Sequence, residues 1–174
     1  MNKESIYILE DRGIIYISGT DAFDYLQNII SNDLEKVTDF QSCFSYLLTP
    51  QGKYLFEFII VKHKSGYFLD CPKYQIENLY KQLTLYKLRS KVEITNLSNE
   101  FVVAALSKDK FSEFEKNNNK IGMTIKFRED PVILDPRCIN LGARIVINLE
   151  KLYLTAKKLN LKISNINEYY QLSH

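Results

Sequence analysis

The 174-residue sequence predicts an α+β fold with antiparallel or mixed sheets and packed helices. Helical periodicity arrives after pairs of strand-like runs and not after every run, which argues against a doubly wound parallel sheet. The strand-like runs are short and bounded by breaks containing Gly, Pro, Asn or Asp. The composition, 45% hydrophobic and 25% charged, is that of a globular chain able to bury a sizeable core without staples.

Each element has a local reason. Ile6 to Leu9 and Gly13 to Ile17 read as two strands joined in a hairpin at Asp11-Arg12-Gly13, because β-branched and aromatic residues flank a Gly-containing break. Thr20 is placed to cap a helix with Asp21 in its first turn and Ala22, Leu26, Ile29 and Ile30 on one face, ending near Ser31-Asn32-Asp33. Cys43 to Leu48 and Tyr54 to Val61 are strands flanking the turn Thr49-Pro50-Gln51-Gly52-Lys53, and Gly66 to Asp70 continues the meander. Ile76, Leu79, Tyr80 and Leu83 mark a helical face between Lys73 and Lys87. Strands follow at Val92 to Ile94 and Phe101 to Leu106, then a short helix at Lys108 to Glu115 with Phe111 and Phe114 inward. Asn117-Asn118-Asn119 reads as a loop tip. Met123 to Phe127, Val132 to Leu134 and Ala143 to Ile147 read as strands, and Leu149 to Leu159 and Asn165 to Leu172 as helices. No fixed-period repeat is legible.

Several function classes lose support. A net charge of +2 supplies no field that calls for nucleic acid, and the longest apolar stretch, Tyr54 to Val61, contains Glu57 and is far shorter than a bilayer crossing. Residues 1 to 5 lead straight into a strand-like run without signal-peptide or transit-peptide character, so a cytoplasmic setting is expected. Cys43, Cys71 and Cys138 are widely separated and never in C-x-x-C spacing, and they read as buried small hydrophobes. The two histidines, His63 and His174, stand in no metal-ligand pattern, and neither a P-loop nor a dinucleotide fingerprint is present. Polar residues gather at turns: Asn32 and Asp33, Gln51 to Lys53, and Asp135 to Arg137. Turn chemistry alone accounts for residues of these types at such places.

Read in order, Leu9-x-x-Arg12-Gly13, Gly19-x-Asp21, Leu26-Gln27-Asn28, Asn32-Asp33, Pro50-Gln51-Gly52-Lys53, Tyr86-Lys87-Leu88-Arg89-Ser90-Lys91-Val92, Asp135-Pro136-Arg137 and Leu141-Gly142-x-Arg144 form an ordered set. It resembles the YgfZ-type tetrahydrofolate-binding iron-sulfur-cluster assembly factors, relatives of the glycine-cleavage T-protein, an aminomethyltransferase. The resemblance runs from Leu9 to Arg144. It implies a T-protein-like folate-binding module of two intertwined ferredoxin-like halves spanning residues 1–174, with the family's C-terminal β-barrel absent. It also implies a part in maturing or repairing four-iron clusters. The family's downstream reactive-cysteine motif, Lys-Gly-Cys-Tyr-x-Gly-Gln-Glu, is not in this sequence, and the chain ends about where the stretch preceding that motif would begin. A second chain supplying that part is one expectation; another is that the apolar tail residues Tyr169, Tyr170 and Leu172 lack cover.

By the same resemblance Phe56-Glu57 holds the place of the T-protein's paired acids, so a single carboxylate remains. A non-catalytic role follows as the first reading, with aminomethyl transfer and a ligand-free protein-binding scaffold as competitors. A pterin edge offers donors that Asn32, Asp33 or Glu57 could accept, its glutamate tail suits Lys53, Arg89 or Arg137, and Gln51, in the turn with Lys53, is a further candidate contact. Structural roles compete here too: an edge or bulge carboxylate for Glu57, a helix cap for Arg89, and a local Asp135 to Arg137 pair. The expected partners are reduced folate (tetrahydrofolate) and iron-sulfur proteins or their assembly machinery, with no nucleic acid and no membrane.

Overall fold

The computed structural model describes residues 1–48, 54–116 and 119–173. The turn at Thr49 to Lys53, the loop residues Asn117 and Asn118, and His174 lie outside the described residues, as do the side chains of Tyr54, Leu55, Leu172 and Ser173. The chain divides into two compact units, one made of Met1–Glu10 with Glu100–His174 and the other of Asp11–Asn99.

The division falls between the first two strands. β1 (Ser5–Ile8) belongs to one sheet and β2 (Arg12–Ser18) to another, so the expected hairpin does not form. Each strand finds longer-range partners for its backbone groups, which a local β1–β2 pair would have left competing for the same edges.

In the unit of residues 11–99, β2 is followed by α1 (Ala22–Ile29), β3 (Cys43–Leu48), β4 (Tyr54–His63), β5 (Gly66–Pro72), α2 (Ile76–Lys87) and β6 (Glu93–Asn96). The strands form an antiparallel sheet in the order β3-β4-β5-β2-β6. Period-two alternation sends Ile15, Ile17, Leu47, Phe58, Ile60 and Leu69 to one face, where they meet Leu26 of α1 and Leu79 and Leu83 of α2. The Tyr25 hydroxyl of α1 donates to the Leu83 carbonyl of α2. Thr20 is not the cap. Asp21 occupies that position without a side-chain cap bond, and its carboxylate accepts instead from the Lys91 N–H at 2.7 Å. Gly19 allows this approach: its φ is +113°, and a Cβ there would stand 2.4 Å from the Lys91 carbonyl oxygen.

The other unit adds β7 (Phe101–Leu106), α3 (Lys108–Phe114), β8 (Thr124–Phe127), β9 (Asp130–Leu134), β10 (Ala143–Asn148), α4 (Leu149–Lys158), β11 (Lys162–Ser164) and α5 (Ile166–Ser173). Its sheet order is β11-β1-β7-β10-β9-β8, with β1 antiparallel to β7 and parallel to β11. Ser107 caps α3 and Asn148 caps α4 by accepting from the Lys110 and Glu150 N–H groups. Tyr169 of α5 is only 2% exposed and packs against Tyr7 of β1 with ring centroids 6.0 Å apart, so the expected uncovered tail is corrected at that residue.

The two units repeat one plan. Each runs strand, helix, three strands, helix, strand, and the sheet orders correspond once β1 is seen as an extra strand inserted between β7 and β11. The repeat is architectural, which is why no sequence period betrays it. The α+β fold with antiparallel and mixed sheets stands as predicted.

Candidate functional site

The face of the five-stranded sheet turned away from α1 and α2 carries Arg12, Tyr16, Tyr46, Glu57, His63 and Asp70. Alternation puts Phe44 and Tyr46 of β3 on it, across from Ile59 and Glu57 of β4. Phe44 and Tyr46 meet edge to face with ring centroids 5.1 Å apart. Glu57 is half-buried directly opposite Tyr46, and its backbone carbonyl accepts from the buried Gln75 amide at 2.7 Å. Phe56 points the other way and packs on the hydrophobic core, so of the Phe56-Glu57 pair only the carboxylate reaches this face.

Farther along the same face, Asp70 of β5 sits opposite Ile14 of β2 and Ile59 of β4. The Arg12 Nε donates to the Asp70 Oδ1 at 2.8 Å and its Nη2 to the Asp70 carbonyl at 2.9 Å, with both side chains buried. This pair is the physical content of the arginine in Leu9-x-x-Arg12-Gly13, and sequence reasoning missed it because its partner lies 58 residues away. Tyr16 donates its hydroxyl to the His63 carbonyl at 2.8 Å, and burial pushes its phenol pKa up, so it stays a donor at neutral pH. His63 is stacked on Phe68 at 4.4 Å.

Asn32 and Asp33 build the turn that carries the chain from α1 to β3. Asn32 Nδ2 donates to the Phe44 carbonyl at 3.0 Å, its N–H to Ser45 Oγ at 3.3 Å, and its Oδ1 accepts from the Asp33 N–H at 2.8 Å. Asp33 Oδ1 accepts from the Glu35 N–H and from Gln27 Nε2, and these bonds hold its carboxyl below the ordinary carboxylate value. The turn thus lies against the edge strand β3, bonded to the Phe44 carbonyl and the Ser45 hydroxyl, while Glu57 stands on the next strand. Arg89 is exposed just before β6, at the opposite edge of the sheet. Gln51 and Lys53 lie outside the described residues. Arg137 belongs to the other unit, where its Nε and Nη2 clamp the Asp135 carboxylate at 3.0 and 2.7 Å. Arg144 Nη2 reaches the same carboxylate at 3.1 Å.

The structure therefore places Asn32 and Asp33 at the outer edge of β3 and Glu57 on β4 across from Tyr46, with Arg89 at the opposite sheet edge and Arg137 in the other unit. Cys43 and Cys71 are buried, and desolvation pushes their thiols up to about 11 and about 12. Cys138 is exposed, which corrects the expectation that all three cysteines are buried. Among the described residues no group of three or more His, Cys, Asp or Glu side chains is placed to hold a metal ion, and no helix is long and apolar enough to cross a membrane.

Known proteins now supply the comparison. The chain superposes on the aminomethyltransferase T of the glycine cleavage system from Bartonella henselae with a TM-score of 0.74 at 14% identity, covering 97% of this chain and 50% of that one. The fold is that of the T-protein. No family model matches the sequence. In sequence the chain is 29% identical over 113 residues to the aminomethyltransferase of Caldanaerobacter subterraneus subsp. tengcongensis, a match covering 64% of this chain and 30% of the relative. It is 24% identical over 196 aligned positions to the mitochondrial iron-sulfur cluster assembly factor IBA57 homologue of Dictyostelium discoideum, covering 98% of this chain and 48% of the relative. Homology thus joins the chain to T-protein-like aminomethyltransferases and to iron-sulfur assembly factors of the same fold. The chain spans half or less of the length of these relatives.

Proposed function

We propose that the chain is a YgfZ-like, non-catalytic module that binds tetrahydrofolate in the service of maturing or repairing iron-sulfur cluster enzymes. The observation that carries the reading is Glu57 set opposite Tyr46, whose ring meets that of Phe44 on the same face. A pterin is a flat ring with N–H donors on one edge, so a half-buried carboxylate next to two aromatic faces meets both of its demands. Its negatively charged tail calls for cations; Lys53 and Arg89 remain candidates, whereas Arg137 already spends its fork on Asp135. Likeness to assembly factors supports the cluster role, and it makes iron-sulfur proteins or their assembly machinery the natural partners in the cytoplasm. Titration calorimetry with tetrahydrofolate tests the reading. Saturable binding is expected, weakened about tenfold or more in Glu57→Gln, since a hydrogen bond to a charged group contributes about 1.5–3 kcal/mol. Absence of saturable heat ends it.

Aminomethyl transfer is the second reading, favoured by the aminomethyltransferase relatives and resting chemically on Glu57 alone. A shared fold does not transmit an activity. Transfer from a lipoylated carrier to tetrahydrofolate that disappears in Glu57→Gln would reverse the ranking.

A further inference from the structure

The last turns of α2 hold a surface of which the folate reading uses at most Arg89. Leu79 and Leu83 enter the core, yet Leu85 is 67% and Leu88 87% exposed. Leu88 closes the helix at φ 46° and ψ −114°, a backbone region that costs an L-residue strain. The turn that follows is nonetheless fixed. Ser90 N–H donates to the Lys87 carbonyl at 2.8 Å, Val92 N–H to the Ser90 carbonyl at 3.0 Å, and Lys91 N–H to the Asp21 carboxylate at 2.7 Å. A strained, pinned backbone thus presents an apolar side chain to water, and strain of this kind concentrates where a surface is held ready for an interaction. The charge pattern adds a second, independent observation. From Lys81 to Lys91 the chain carries four cations, Lys81, Lys87, Arg89 and Lys91, and no carboxylate, although the net charge of the whole chain is only +2.

We propose that the C-terminal end of α2 and its following turn are a docking knob for an acidic protein, one whose apolar pocket takes Leu85 and Leu88 and whose rim presents carboxylates to the surrounding cations. Charge complementarity selects this occupant. A second copy docking through the same patch would set cations against cations. Nucleic acid offers phosphates but no pocket for two leucines. An anionic bilayer wants a continuous apolar helix face, and that of α2 is already spent on the core. Neither leucine nor Lys81 belongs to the proposed folate site, so the two readings fail separately.

The probe is a fluorescein-labelled peptide alternating Leu-Leu with Asp-Glu, alongside a twin with every Leu replaced by Ser, and phosphatidylserine-containing vesicles. Anisotropy and 15N amide NMR on the whole chain are the readouts. The Leu peptide should bind saturably with shifts confined to residues 81–91. Leu85→Ser and Leu88→Ser should each weaken it about tenfold or more, and Lys81→Glu should weaken it further as salt is lowered. Leu88→Gly discriminates most sharply, because glycine accepts the φ: it should raise Tm by about 2–4 °C while weakening the peptide. Tetrahydrofolate affinity should hold in all four variants. The proposal is overturned by no saturable peptide binding, by equal binding of the Ser twin, by shifts elsewhere, by tighter association with vesicles, or by self-association of the chain that Leu88→Ser abolishes.

Discussion

Replacing Asp135 with Asn removes one negative charge at constant shape, and the structure sets the size of the effect. The carboxylate is 1% exposed and accepts from the Arg137 backbone N–H at 2.9 Å, from Arg137 Nε and Nη2 at 3.0 and 2.7 Å, and from Arg144 Nη2 at 3.1 Å. Asn keeps the oxygen for Arg137 N–H and Nε but turns an NH2 toward the two Nη2 donors. Arg144 is itself 2% exposed, so losing the carboxylate removes a negative charge that offsets its guanidinium in a low-dielectric site. Breaking a buried pair in this way costs about 3–5 kcal/mol. At about 2–4 °C per kcal/mol for a chain of this size, Tm should fall by at least about 6 °C. The effect carries a pH signature. Burial alone would push the Asp135 carboxyl up, but the hydrogen bonds from Arg137 and the charge of Arg144 outweigh it and hold the carboxyl below its ordinary value. A carboxyl depressed in the native state stabilises fully above about pH 4 and loses that contribution as pH falls through its native value. Urea unfolding followed by circular dichroism should therefore show the gap between wild type and Asp135→Asn wide at pH 7 and narrowing below pH 4. A gap under about 1 kcal/mol at pH 7, or one that stays constant into acid, would refute the reasoning.

Iodoacetamide on the native protein should add one group, at Cys138, with Cys43 and Cys71 reacting only after unfolding; intact-mass spectrometry counts the adducts. Gly19→Ala should destabilise by more than about 2 kcal/mol, because φ is +113° and the new Cβ would press on the Lys91 carbonyl at 2.4 Å; an unshifted urea midpoint would contradict it.

Much of this was legible because local chemistry decides it. The face Ile76, Leu79, Tyr80 and Leu83 placed α2 correctly, although Tyr80 is 38% exposed, and the Asp135-x-Arg137 spacing is short enough to be read as a local pair, which it is. Its burial was not legible, since that depends on Arg144 arriving from β10. The β1–β2 hairpin failed for a similar reason: a Gly-containing break permits a turn but does not compel it, and the partners that win, β7 for β1 and β5 for β2, lie far along the chain. β11 has three residues, too few for any alternation to register, and only pairing with β1 makes it a strand. At the candidate site the sequence offered Glu57 and the Asn32-Asp33 turn. It could not offer Phe44 and Tyr46, because which strand faces which carboxylate is a matter of register.

The strand inserted between β7 and β11 has a consequence for synthesis. Because the ribosome delivers the chain from its N-terminus, β1 emerges before both of its neighbours, residues 104–106 and 162–164. The whole five-stranded sheet, complete within residues 11–99, can close while β1 still waits. Through that interval Ile6 and Tyr7 and an unpaired strand edge stand open to other chains. A strand made before both its partners is thus among the last secured, and its pairing with β11 closes the loop from Ser5 to Lys162.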